Sequence, residues 1–276
     1  MCKKVIVIGA GRSGTNMLRD ALVKFQSCDT WDCDEINYTW RYGNRNYPSD
    51  ELYPEHANAK TIGYINKEFD KLAAQKRCKY IVEKTCANSL RVSFVDEVVQ
   101  NAYYLNIVRD GRDVVSSAFN RWTANVEPGY LSKKVKYVPL ADLHFYLARY
   151  ASHRVQKVFR KDNSLPSWGP VYDGMVEDVK NLTVPEVCAL QWKACVERSA
   201  SQLSKSQNPV LNIVYEEFVK DPLIGMRQIL KFIGLSVDEQ KIIDAVSNIT
   251  DRSVGKGVEF VSSQPRVAAI IRSLQN

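Results

Sequence analysis

The apolar positions of this chain fall into short unbroken runs separated by longer amphipathic stretches. Residues 5–8, VIVI, leave no polar face, the pattern of a strand covered on both sides. A glycine-rich turn follows. From Thr15 to about residue 25, Met17, Leu18, Ala21, Leu22 and Phe25 line one side of a predicted helix. Further strands are predicted at 79–82, 103–108 and 210–215, and helices over 62–76, 88–99, 113–122, 139–160, 222–233 and 237–247. Thr183 opens another helix, with Pro185 in its first turn and Glu186 three residues on, a capping-box pattern. Three segments lack periodicity: 28–60, crowded with Asp, Asn, Tyr, Trp, Gly and Pro; a loop over 162–182; and a polar tail after Thr250. A segment as long as 28–60 inside a compact enzyme is more often a binding region than a linker.

Strands that alternate with helices predict an α/β fold, a parallel sheet flanked by helices around a P-loop-like nucleotide-binding core. No repeat, low-complexity stretch or linker divides the chain, so one domain over 1–276 is expected. No apolar run approaches the roughly 18 residues of a membrane span. The first strand begins at Lys4 or Val5, which leaves no room before it for a signal peptide. A cytoplasmic protein is the expectation.

Composition changes this picture little. Hydrophobic residues make up 45% and charged residues 25%, ordinary for a globular protein. Seven cysteines, an odd number with no Cys-x-x-Cys, favour reduced thiols. Cys188 and Cys195 fall on one helix face and read as small core residues. The histidines, His56, His144 and His153, lack the spacing of a structural zinc site. A net charge of +7 suits a polyanion. No basic block with interleaved aromatics points to nucleic acid, and a nucleotide with several phosphates accounts for the excess.

The turn in VIVIGAGRSGTNML narrows the choice of ligand. A nucleotide-hydrolase P-loop requires Lys and then Ser or Thr after its last glycine; here Thr15 and Asn16 stand there. A dinucleotide fingerprint is met by Gly9, Gly11 and Gly14, and also requires an acidic residue ending the second strand. Asp29 and Asp32 lie near that place, in FQSCDTWDCDE, without the apolar run of a buried strand. The remaining option is a helix N-terminus that holds a phosphate monoester. Ser13 and Thr15 would add hydroxyls to it, and Arg12 a fixed charge.

Arg-Ser-Gly-Thr after a strand resembles the 5′-phosphosulfate loop of sulfotransferases that use 3′-phosphoadenosine 5′-phosphosulfate (PAPS), in the form found in tyrosylprotein and carbohydrate enzymes. YYLNIVRDGRDVVSSAF, 103–119, is similar to the family's 3′-phosphate motif, with Arg109 and Ser117 in the matching places. IVEKTCAN, VYEEFVKDPLIGMRQILKFIGL and SVGKG resemble three further family segments. They depart from the pattern at Cys86 (usually Pro), at Glu217 and Phe218 (usually Asp and Leu) and at Gly257 (usually Trp).

The resemblance implies sulfuryl transfer from PAPS to a hydroxyl of a small-molecule, carbohydrate or peptide acceptor, with the bisphosphate PAP as product and no metal required. It assigns nucleotide binding to Gly11, Arg12, Ser13, Gly14, Thr15, Asn16, Arg109, Ser117, Ser253 and Lys256. Catalysis falls to Arg12 at the leaving phosphate, Lys84 at the transferred group and a carboxylate base, Glu35, with Asp34 and His56 as alternatives. Taken singly, Lys84 could merely pair with Glu83, and Arg109 with Asp110 or Asp113. Tyr38, Trp40, Tyr42 and Tyr47 suit a sugar or phenol acceptor, and the WGP at 168–170 borders acceptor or adenine. Two other readings stand beside this one: an NAD(P)-binding Rossmann oxidoreductase, in which Asp29 or Asp32 ends a strand, and a catalytically inactive relative that binds the same nucleotide.

Overall fold

The run VIVI lies at the centre of a parallel sheet of five strands ordered β2-β3-β1-β4-β5. The strands are β1 (Lys3–Ile8), β2 (Cys28–Asp29), β3 (Tyr80–Lys84), β4 (Ala102–Val108) and β5 (Val210–Val214). The computed structural model describes residues 2–123, 137–139 and 168–274. Around the sheet run α1 (Thr15–Leu22), α2 (Asn37–Trp40), α3 (Ala59–Lys76), α4 (Val92–Val98) and α5 (Gly111–Thr123). Then follow α6 (Met175–Asn181), α7 (Val184–Leu203), α8 (Tyr215–Lys220), α9 (Pro222–Ile233), α10 (Glu239–Val246), α11 (Val258–Ser262) and α12 (Pro265–Arg272).

Alternation along β1 divides the core. Val5 and Val7 pack with Leu18 and Leu22 of α1 and with Met226, Ile229 and Ile233 of α9. Ile6 and Ile8 face the other way, onto Ile65 and Phe69 of α3 and Val95 and Val98 of α4. A third cluster joins α5, α7 and α12 through Val114, Ala118, Trp192, Val267 and Ile271, and it encloses both Cys188 and Cys195. All seven cysteines are free thiols.

Several elements differ from expectation, each for a local reason. α3 begins at Ala59 rather than 62, because the Asn58 side chain accepts from Thr61 N at 3.0 Å and caps it. β3 continues to Lys84 through the polar pair Glu83 and Lys84, both buried. The predicted helix over 88–99 is a 3₁₀ turn, Cys86–Leu90, followed by α4. The segment 28–60 holds β2, α2 and a 3₁₀ turn at Pro54–His56. The expected loop over 162–182 contains α6, and the polar tail folds into α11 and α12, whose Val261, Val267 and Ile271 are buried. Thr183 caps α7 through the foreseen box with Glu186. The predicted helix over 139–160 lies outside the described residues, as do His144 and His153. Among the described residues no helix is long and apolar enough to cross a membrane.

Sheet order decides against the dinucleotide reading. Asp29 does end a strand, but β2 is two residues long and lies at the sheet edge, with β3 between it and β1. A dinucleotide site needs its ribose-binding carboxylate on the strand next to β1. Here Asp29 lies beyond that place, 3.6 Å from Lys76.

Candidate active site

Open α/β sheets bind ligands beyond the carboxyl ends of their strands, where the chain order switches. In this sheet that point lies at β1, flanked by β3 and β4. Leaving β1, the chain enters the glycine turn. Gly14 caps α1 with φ of 89°, and a Cβ there would lie 2.6 Å from the Tyr215 ring, so only glycine fits. Arg12 also has positive φ, 74°. That conformation is costly for a side-chain-bearing residue and clusters at ligand sites. Ser13 is fully enclosed, and its Oγ has no partner among the described residues.

The second motif closes on the first. β4 delivers Arg109, whose Nη1 donates to the Arg12 carbonyl at 3.1 Å across 97 residues of sequence. Its Nη2 donates to the Ser253 carbonyl at 2.6 Å and lies 3.5 Å from Asp113. The guanidinium sits 4.3 Å from the centre of the Tyr215 ring, and its buried Nε has no partner among the described residues. Arg12 Nε in turn donates to Ser117 Oγ at 2.9 Å. Asp110, the other partner considered for Arg109, pairs instead with Arg112.

The SVGKG segment completes this end. Tyr215 and Ser253 share a hydroxyl hydrogen bond of 2.6 Å. Asp113, buried in the first turn of α5, accepts from Gly255 N at 2.8 Å and Gly257 N at 2.7 Å. A Cβ at 257 would lie 2.0 Å from the Arg112 carbonyl, so the tryptophan of the family pattern has no room here.

Gly11, Arg12, Gly14, Thr15, Asn16, Glu35, Lys84, Arg109, Ser117, Ser253 and Lys256 all line one cavity of about 980 Å³. Ser13, also assigned to the nucleotide from sequence, is not among its lining. Arg121, which sequence reasoning missed, lines it as well. The signal was available: Arg121 is four residues after Ser117 on the same helix, hence on the same face. Tyr215 was also missed, whereas Trp168, Gly169 and Pro170, named from sequence as a border of the site, do line it. Burial, and then Arg121 and Arg109, lower the pKa of Arg12. Cations held this close, with Lys256 on the same wall, favour a polyanion.

The opposite wall carries the carboxylates. Lys84, at the end of β3, places Nζ 3.0 Å from Glu35 Oε1 and 3.2 Å from Asp34 Oδ1. Glu35 Oε1 also accepts from Cys86 N at 3.3 Å. Arg19 donates to Asp34 Oδ1 at 3.0 Å. Burial raises the pKa of Asp34, but Lys84 and Arg19 outweigh it and hold the carboxyl below its usual range. Burial likewise opposes the charge on Lys84, and the Glu35 and Asp34 carboxylates more than compensate, so the ammonium persists. Glu83 does not pair with Lys84. It is fully buried and accepts from Thr85 and Asn88, and burial raises its pKa. His56 accepts from Tyr53 N and is not among the cavity-lining residues.

Of the four aromatic residues after Glu35, only Tyr38 lines the cavity. Trp40 is buried against Phe69, Tyr42 stacks on Tyr64 with ring centres 3.8 Å apart, and Tyr47 packs on His56. The WGP segment forms a wall close to the glycine turn, where a Cβ on Gly11 would lie 3.2 Å from the Trp168 indole. Gln191 holds it through the Trp168 and Pro170 carbonyls, both at 2.8 Å, and buried Asp50 accepts from Val171 N at 2.9 Å. Asp50 also binds Arg41 at 2.9 Å and lies 3.6 Å from Arg91.

The sequence model of the sulfotransferase domain family matches residues 2–256. No curated protein matches the sequence. The sulfotransferase domain of the Synechococcus PCC 7002 olefin synthase superposes with a TM-score of 0.56 at 14% identity, covering 100% of this chain and 95% of that one. Sulfotransferase STF9 from Mycobacterium avium gives 0.55 at 12% identity, over 99% and 76% of the two chains. The sulfotransferase domain of the curacin biosynthetic pathway gives 0.53 at 14%, over 92% and 83%. At such identities these likenesses concern the fold. With the family match spanning both phosphate-type motifs and the SVGKG segment up to Lys256, the chain belongs to the sulfotransferase domain family, and its activity is sulfuryl transfer.

Proposed function

We propose that the protein, acting as a single domain, moves the sulfuryl group of PAPS to a hydroxyl on a small-molecule, carbohydrate or peptide acceptor, releases PAP, and works in the cytoplasm. One observation carries the donor assignment: the turn around Arg12 and the Arg109–Ser117 segment touch each other and share a cavity with Arg121 and Lys256. Two phosphate grips in one cavity suit a nucleotide phosphorylated at both 5′ and 3′ positions. The unpartnered Arg109 Nε and Ser13 Oγ are donors of the kind a phosphate would satisfy.

In this scheme Gly11, Ser13, Gly14, Thr15 and Asn16 hold the 5′ end of the donor. Arg109, Ser117, Ser253 and Lys256 hold the 3′-phosphate. Transfer is an in-line displacement: the acceptor oxygen bonds to sulfur as the bond from sulfur to the leaving phosphate oxygen breaks. Negative charge then grows on that phosphate, where Arg12 is placed, and stays spread over the sulfuryl oxygens, which Lys84 faces. Glu35 takes the acceptor's proton. Arg12 and Lys84 supply the positive charge, so the scheme calls for no metal.

Melting temperature in the presence of PAP, AMP and NAD tests the donor site, since a ligand that binds only the folded state raises it. A large rise with PAP and a much smaller one with AMP and NAD is expected. Equal rises with PAP and AMP would refute the second phosphate grip. Strong PAP binding with no transfer from PAPS to p-nitrophenol, N-acetylglucosamine or a tyrosine peptide would favour the inactive relative.

A further inference from the structure

Cys86 stands where the family pattern has proline, and the difference matters for its backbone. Cys86 opens the turn Cys86–Leu90 and donates its N–H to Glu35 Oε1. The same oxygen receives the Lys84 ammonium. Proline has no N–H to give. The preceding residue and the place in the turn both suit proline. Thr85 has φ of −131° and ψ of 113°, the extended conformation required before proline, and position 86 is the first of its turn, where proline is tolerated. The thiol is a separate matter. Its Sγ lies 3.6 Å from Thr15 Oγ1, and burial raises its pKa, so it is neutral and no nucleophile.

We propose that the backbone N–H of Cys86 is a positioning group for the base: with the Lys84 ammonium it fixes the Glu35 carboxylate at the end of β3 and favours its charged form. The inference rests on Glu35 acting as the base. Charged and titratable groups reach this carboxylate from every neighbouring element. They are Lys84 of β3, the Cys86 thiol, Asp34 with its partner Arg19 from α1, Arg12 facing Asp34, Arg91 ahead of α4 and the buried Cys195 thiol of α7. Cys86→Ala and Cys86→Pro leave all of these alike except the Cys86 thiol, which both lack. Alanine keeps the amide proton, whereas proline puts its ring Cδ in that place, so Glu35 loses the donor and must also draw back from it.

Carbon-13 NMR of the Glu35 carboxyl in the two variants reads the loss of that donor. A hydrogen bond to the charged form holds a carboxyl titration down, so the midpoint is expected about one pH unit higher with proline than with alanine. The low-pH limb of turnover should shift with it. Equal midpoints overturn the inference. Should the proline variant fail to fold, the Cys86 amide resonance of the unmodified protein serves: it must follow the Glu35 titration and cease to do so in Glu35→Gln. A flat amide response overturns the inference as well. Glu35→Gln should abolish transfer from PAPS to p-nitrophenol. Retained transfer beside an intact amide response would instead remove the base assignment, so the two failures are told apart.

Discussion

Asp113→Asn isolates the closing segment from the rest of the proposed nucleotide site. The carboxylate is 4% exposed and receives two backbone N–H bonds, from Gly255 and Gly257, while facing Arg109 at 3.5 Å. Asparagine keeps one acceptor oxygen and turns an NH₂ toward the other N–H. One charge-assisted hydrogen bond is lost and a buried donor is stranded, which costs about 2 kcal/mol. That cost falls on the docking of residues 253–257, which carry Ser253 and Lys256 to the cavity. At about 1.4 kcal/mol per factor of ten, PAP affinity should fall roughly thirtyfold. AMP, which lacks the 3′-phosphate, should lose little. Isothermal titration of both ligands against both proteins reads the ratio. Equal losses for PAP and AMP would mean general damage to the fold, and no loss would mean that the carboxylate does not hold the segment; either refutes the reasoning.

Arg12→Ala should collapse sulfuryl transfer while melting temperature and circular dichroism stay near those of the unmodified protein; retained turnover in a PAPS assay would strip Arg12 of its role. Asp50→Asn should destabilise the protein by about 3–5 kcal/mol in urea unfolding, the cost of stranding the buried Arg41 and Arg91. Burial raises the Asp50 pKa, but Arg91 and Arg41 outweigh it and depress it. Its contribution is therefore complete above the ordinary aspartate range near 3.9 and is lost as pH falls through the depressed value. The variant should show a shallower decline of melting temperature below about pH 4; an unchanged decline would contradict this. Gly257→Trp, which restores the residue of the family pattern, should weaken PAP binding, because any Cβ there meets the Arg112 carbonyl at 2.0 Å; tighter binding by calorimetry would refute that.

The glycine turn after β1 was legible in the chain because its causes are local. An unbroken apolar run makes a central strand. Glycine at 14 answers to a positive φ, and a helix N-terminus follows at once. The capping box at Thr183 and the strand–turn–helix around Arg109 are local in the same way. Reading the motifs as two ends of one nucleotide site went further, since it joined segments that the sequence keeps 97 residues apart.

Only the tertiary structure decided which side chains meet. Sheet order sets β4 beside β1 and so brings Arg109 to the Arg12 carbonyl, and it sets β3 there too and so carries Asp29 off to the edge. Lys84 meets Glu35 and Asp34 rather than Glu83 because successive residues of a strand point to opposite faces, a periodicity that could have been applied to the sequence. The last helices escaped because they are short and follow a polar stretch, and their apolar residues are buried only by joining the cluster of α5 and α7. Local sterics act over a few residues and are written along the chain. Strand order and long-range pairing are settled by how whole faces bury one another, and no short window of sequence contains that.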